Sequence, residues 1–248
     1  MSAFQLTLRL LLIQVLWNYR TLLGAGLAWA LLPFLKRDGA DDPEKVEEEL
    51  RETAATFNAH PYLSGFAAGA LVRMREEGSS PEERARFREA IRGPLGSLGD
   101  SLFWAAWLPA CIFAFGLGGL MGLPPLVAVG GFLVSYNSVH LIMRYKGALA
   151  GLELGRGVGH ALGALRISRR RERVGAVGVI FVGALLGHLL SRGVRPGASL
   201  DLAALMGGGS LALALFAVGL LATRLRWWVA AALTPGAVLA FLLAGAMR

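Results

Sequence analysis

The chain is poor in the residues that most catalytic and secreted proteins rely on. One cysteine, Cys111, stands in 248 residues, so no intrachain disulfide can form. Inside the apolar run FWAAWLPACIFAFGLGGLM it is expected to serve as a small core hydrophobe. The four histidines, His60, His140, His160 and His188, are spaced unlike metal ligands, and no metal centre is expected. There is no P-loop, nucleophile elbow or kinase signature. The stretch GRGVGHALG imitates a dinucleotide fingerprint, but no strand precedes it and its glycines fall in a repeat of four, so no cofactor is expected. No complete catalytic constellation remains. Charge is scarce too, at 17% of residues.

What is abundant is apolar sequence. Hydrophobic residues make up 55% of the chain, and the mean hydropathy is +0.54, which is the composition of a membrane protein. The 33 glycines agree, because small residues let membrane helices approach closely. Gln14, Asn18 and Arg20 interrupt the first apolar run and no small-residue cleavage site follows, so a cleaved signal peptide is not expected. The formal net charge of +8 could suggest nucleic acid, but no recognition motif accompanies it, and no nucleic-acid partner is expected. The basic residues concentrate between Arg144 and Arg173, whereas residues 38–52 are acidic. A basic run beside an apolar span is the positive-inside pattern, with contact to anionic lipid as a second use.

The fold class expected is an all-α integral membrane protein of transmembrane helices, broken or re-entrant helices and a charged helical cytoplasmic segment. Two parts are expected: a membrane-embedded core at 1–173 and C-terminal transmembrane helices at 174–248. Apolar segments at about 174–191, 202–223 and 227–247 suit membrane crossing. The basic turn Arg224 to Arg226 and the 144–173 segment are placed in the cytoplasm. Residues 103–143 are apolar but broken at Pro109 and at GLPP, and read as two spans with a bend or as re-entrant helices.

Further local signals are specific. Residues 43–57 predict an amphipathic helix with Pro43 in its first turn. Pro61 breaks it, leaving Asn58 and His60 at the break, and a second helix is expected from Tyr62 to Glu77. Ser80, Pro81 and Glu83 predict a capping box. Gly93, Pro94, Gly96 and Gly99 then predict a non-helical turn, with Asp100 or Ser101 capping the next helix and Asp100 able to line a polar pocket. Gln14 and Asn18, four residues apart, are expected on one helical face turned to protein or a polar cavity. Gly147, Gly151, Gly155, Gly159 and Gly163 predict a slowly drifting smooth ridge on a helix, suited to close contact with another helix.

Three stretches carry a resemblance: LIQVLWNYRTLLGAGLAWALLPFLKR, TFNAHPYLSGFAAGALVRMREEG and GPLGSLGDSLFWAAWLPA. In this order and spacing the chain resembles the IID membrane component of mannose/fructose/sorbose-family sugar phosphotransferase systems. The resemblance implies a multi-pass subunit of the bacterial inner membrane with no phosphorylation site of its own. It would pair with a IIC membrane subunit, in a trimer of IIC–IID pairs, to move a hexose inward through the lipid bilayer. Soluble IIB, supplied by IIA, would then phosphorylate the sugar. It also implies that Asn58 and His60 stand beside the sugar path, since amides and imidazole donate and accept hydrogen bonds as a polyol requires. Gln14, Asn18 and Asp100 are further candidates for sugar contact or for the interface that shapes the pocket. The chain departs from the family pattern at Arg20, where an acidic residue is common, and at Ser97, in a turn that commonly reads GIGD. A diverged IID-like scaffold or sensor without transport activity is therefore the second reading.

Overall fold

The structure is a computed structural model that describes residues 2–38 and 42–193. The spans expected at 202–223 and 227–247, and the turn at Arg224 to Arg226, lie outside the described residues. The described chain is helical, without a strand: α1 Ala3–Leu10, α2 Gly24–Asp38, α3 Pro43–Thr53, α4 Ser64–Glu76, α5 Pro81–Gly99, a π-helical stretch Asp100–Trp107, α6 Leu108–Leu120, α7 Pro125–Leu154, a 3₁₀ turn Gly155–Gly157, α8 Val158–Ala164 and α9 Ile167–Gly193. Two compact units form, Met1–Phe103 with Asn137–Ser168, and Trp104–Tyr136 with Arg169–Arg248. Pro81–Leu120 and Pro125–Leu185 are long and apolar enough to cross a membrane, each containing an 18-residue stretch of mean hydropathy 1.6.

In the first unit, α1 opens with a capping box in which Ser2 and Gln5 satisfy each other's backbone N–H groups. Its inner face buries Leu6 and Leu10. The helix stops at Leu10, and Leu12, Ile13, Val15 and Trp17 each donate to the carbonyl three residues back. Such tight turns wind at about three residues per turn, so residues four apart do not share a face. This corrects the expectation for Gln14 and Asn18: neither lies on a helix, and Gln14 is exposed.

Pro33 sits inside α2 and takes one N–H out of its ladder, which leaves the Trp29 carbonyl without its helical donor. Arg9 replaces it. Its Nη2 donates to Trp29 O at 2.5 Å and its Nε to Ala30 O at 2.9 Å, with the guanidinium 4.0 Å from the Trp29 ring centroid. The sequences of α1 and α2 are thus matched through a backbone defect.

α3 is N-capped by Asp42 with Pro43 in its first turn, and α5 begins with the expected Ser80–Glu83 box. α3 ends at Thr53, earlier than the predicted boundary at 57. Arg84, Arg88 and Arg92 recur every fourth residue on α5 and grip α3 and its end. Arg84 reaches Glu49 at 3.4 Å, Arg88 donates to Glu52 O and Arg92 to Thr56 O at 3.2 Å. Glu49 is buried and also pairs with Arg75 of α4, so its charge is compensated from two helices.

Two expectations are corrected by the helices that follow. The chain does not turn at 93–100: α5 passes through Pro94 to Gly99, and the π-helical stretch carries it into α6. The wider π turn lies immediately before Pro109, where an α-helical ladder would lose a donor and meet the proline ring. The glycine ridge is also interrupted. Gly147 and Gly151 on α7 interlock with Gly65 and Gly69 on α4: a Cβ on Gly151 would stand 2.6 Å from Phe66 O, and one on Gly69 2.5 Å from Ala148 O. At Gly155 the backbone turns to φ +52° and α7 ends, a conformation costly for other residues. Gly159 and Gly163 face no described atom within 4 Å.

In the second unit, α6 and the first part of α7 form a helical hairpin. Gly122, at φ +99°, follows the end of α6, and Leu123 N–H returns to Gly118 O at 2.9 Å. Pro125 then starts α7 where its missing N–H costs nothing. Phe115 lies over Gly131, where a Cβ would be 2.4 Å from its ring.

Candidate functional site

The first two motifs meet through their backbones. Asn18 builds its turn by itself: Oδ1 accepts from Arg20 N–H at 3.0 Å and Thr21 N–H at 2.9 Å, while Nδ2 donates to Thr21 Oγ1 at 2.8 Å and Leu16 O at 3.2 Å. This is the local turn chemistry of asparagine. The turn then holds the second motif. Phe57 N–H donates to Thr21 O and Leu23 N–H to Phe57 O, each at 3.1 Å, and Thr56 Oγ1 donates to Arg20 O at 3.2 Å. Arg20 takes part through its main chain, so its departure from the family pattern leaves the turn intact.

The fixed Phe57, itself fully buried, positions the residues after it. Asn58 is exposed, whereas His60 is only 1% exposed. His60 Nδ1 accepts Tyr62 N–H at 3.2 Å, which places the proton of the neutral ring on Nε2. The third motif packs directly on this histidine, since a Cβ on Gly99 would stand 2.2 Å from His60 Cβ. A Cβ on Gly96 would lie 3.5 Å from Asn58 O. Asp100, one residue past the contact with His60, is exposed. Gln14, Asn18, Asn58, His60 and Asp100 therefore all belong to the first unit. The contacts join the turn of Asn18 to the segment of Asn58 and His60, and that segment to the helix leading to Asp100. Gln14 lies in the tight turns before Asn18.

Behind His60 stands a column of rings that sequence alone did not single out. Phe103 stacks on His60 at 5.2 Å between centroids, Tyr62 meets both edge-on at 4.8 and 4.9 Å, and His140 stacks on Tyr62 at 4.3 Å. Asn137 Oδ1 lies 2.8 Å from His140 Nε2. Arg144 closes the column, 4.8 Å from the Tyr62 ring centroid, and donates to Leu10 O at 2.5 Å. That carbonyl belongs to the last residue of α1 and also accepts Ile13 N–H at 3.3 Å. Arg144 is 3% exposed, so the first basic residue of the 144–173 run is part of the core of the first unit. Its only sequence signal was four-residue spacing from His140, one turn apart on α7. His60 lies outside both long apolar helices. Burial first, then the neighbouring Arg144 and His140 charges, lower its pKa to about 4, so it is neutral at physiological pH.

Comparison with known proteins places this geometry in a family. Residues 2–197 match the family described as the PTS system mannose/fructose/sorbose family IID component. The mannose-specific EIID component of Escherichia coli K12 is 27% identical over 187 residues, covering 72% of this chain and 64% of that protein. The fructose permease IID component of Bacillus subtilis strain 168 is 26% identical over 181 residues, covering 68% of this chain and 62% of that one. The sorbose-specific EIID component of Klebsiella pneumoniae is 25% identical over 180 residues, covering 70% and 64%. The matched part thus spans less than two thirds of the length of these relatives. In fold, the chain resembles a chain in the cryo-electron microscopy structure of the mannose transporter ManYZ with microcin E492, with a TM-score of 0.57 at 21% identity and coverage of 99% of this chain and 94% of that one. A second solved membrane protein gives a TM-score of 0.64 at 19% identity, with the same coverages. The chain belongs to the mannose/fructose/sorbose family of phosphotransferase-system IID components.

Proposed function

We propose that the chain is the IID subunit of a mannose-type sugar permease, working with a IIC subunit to carry a hexose across the bacterial inner membrane. The observation that carries this reading is the convergence of the three motifs: one turn, built by Asn18, fixes the segment that exposes Asn58 and buries His60 against Gly99. In this reading Asn58, Asp100 and Gln14 supply polar atoms toward the sugar path, because their side chains are exposed. Asn18 shapes the site rather than touching sugar, since its amide is engaged within its own turn. His60 holds the segment as a neutral ring, donating from Nε2 where a hydroxyl or a carbonyl accepts.

The α6–α7 hairpin is the face we assign to the IIC partner. Its open groove is lined by Ile112, Phe115, Gly119, Val129 and Phe132, and small residues beside bulky ones suit close helix contact in lipid. Phosphoryl transfer then belongs to phospho-IIB, supplied by IIA, and the assembly is a trimer of IIC–IID pairs. Residues 1–173 form the membrane-embedded core with its broken helices, and 174–248 add the C-terminal spans.

The test is uptake of radiolabelled mannose, glucose and fructose in cells lacking their own mannose permease. The cells receive IIC, IIB and a working IIA, with or without this chain. Uptake that requires the chain is the expected result. No uptake of these or other hexoses, with every component present in its proper fraction, would favour the scaffold or sensor reading.

A further inference from the structure

A groove of about 450 Å³ on the first unit is lined by Gln5, Leu8, Arg9, Pro33, Phe34 and Arg37. Pro33, Phe34 and Arg37 close the first matched stretch, at the other end from the turn of Asn18, and Gln5, Leu8 and Arg9 precede it. The walls of the groove are the exposed side of α1 and the second half of α2. That side of α1 is apolar for a surface, with Phe4 62% and Leu8 48% exposed, and Leu12 in the turns after it is 49% exposed. Arg9 and Arg37 line the groove together with an apolar floor of Leu8, Pro33 and Phe34, and no carboxylate lines it among the described residues.

The two cations differ in how they are held. Arg9 is fixed by the Trp29 and Ala30 carbonyls, which accept from it without neutralising its charge. Arg37 lies in the last turn of α2 beside Lys36, and it pairs with Glu76 at 4.0 Å with both side chains well exposed. An exposed ion pair of that length contributes little and yields readily to a better anion. The groove therefore offers positive charge at the polar end of α2 and apolar surface running inward. Those are the demands of a phosphate headgroup with acyl chains attached.

We propose that this groove binds one anionic phospholipid, its phosphate held by Arg37 and Arg9 and its acyl chain lying along Leu8, Pro33 and Phe34. The inference rests on the membrane reading of the chain. A basic site with an apolar floor distinguishes anionic from zwitterionic headgroups, because the latter carry their own cation. Each arginine near an anionic headgroup contributes enough to change binding about fivefold.

The experiment uses the full chain in its membrane complex, extracted in mild detergent, stripped of lipid and titrated with dioleoyl phosphatidylglycerol or dioleoyl phosphatidylcholine under native mass spectrometry. The expected result is a tighter phosphatidylglycerol adduct, weakened about fivefold by Arg37→Gln. Leu8→Asn is expected to weaken it independently, and Arg73→Gln, outside the groove, to leave it unchanged. Equal binding of the two lipids, or indifference to Arg37→Gln, would overturn the proposal. So would a photoreactive residue at position 8 that cross-links in membranes to protein alone. Alkaline carbonate extraction separates the two levels of failure: release of the chain from membranes would remove the membrane reading itself, whereas retention without lipid selectivity would remove only this site.

Discussion

Pro33 takes an N–H out of α2 and Arg9 puts one back, so these two residues should be coupled energetically. Arg9→Met leaves the Trp29 carbonyl without a donor and should cost about 1–3 kcal/mol. Pro33→Ala restores a main-chain N–H and should recover part of that loss in the Arg9→Met background, although not in the wild type. A double-mutant cycle of thermal unfolding in detergent measures the coupling, and purely additive effects would dismiss it. His60 makes a second residue-scale prediction through its lowered pKa of about 4. Unfolding returns the ring toward its ordinary value near 6.5, so the unfolded chain takes up a proton that the folded one refuses. Its contribution to stability is complete above about 6.5 and falls away as pH drops toward about 4. His60→Asn should flatten that part of the melting profile between neutral and mildly acidic pH, and an unchanged slope would mean that His60 is not held neutral.

The glycines of α7 separate two kinds of position among its helices. Gly151→Leu must push apart the backbones of α4 and α7 and should cost at least about 1–3 kcal/mol, the usual range for overpacking. Gly159→Leu meets no described atom and should be tolerated, as native gel mobility and detergent melting of the two variants would show. Gly155→Leu should also destabilise, but because φ there is positive rather than because a ridge is blocked. Equal behaviour of Gly151→Leu and Gly159→Leu would contradict the interlocked α4–α7 contact. The same elements show what was legible in sequence. The capping box at Ser80, the start of α3 at Pro43 and the helix after Pro61 are local devices, and local chemistry reveals them. The run through Pro94 to Trp107 was illegible as a helix because Gly and Pro punctuate most chains, and nothing local announces a π turn. Gln14 and Asn18 were misplaced for a related reason: α1 passes into tight turns at Leu10, whose carbonyl is also met by Arg144, a contact between residues far apart in sequence.

For the whole molecule, the three motifs were visible as unusual polar residues in apolar sequence, and they meet in the first unit through backbone hydrogen bonds between the first two and the packing of Gly99 on His60. The ring column behind them was hidden, because Tyr62, Phe103, His140 and Arg144 look like ordinary core and charge until the fold joins them. In the proposed function Asn58 belongs to the sugar path and Asn18 to the turn that holds it, so their substitutions should differ in kind. Asn18→Ala should lower the amount of folded subunit as well as uptake. Asn58→Ala should leave assembly with IIC unchanged and lower uptake about tenfold, the effect of losing one substrate hydrogen bond. Hexose uptake with Asn58→Ala, normalised to assembled complex on a native gel, is the most direct measurement. Full assembly with uptake lost supports a IID subunit whose site lies at FNAHPY, and full assembly with normal uptake would contradict it.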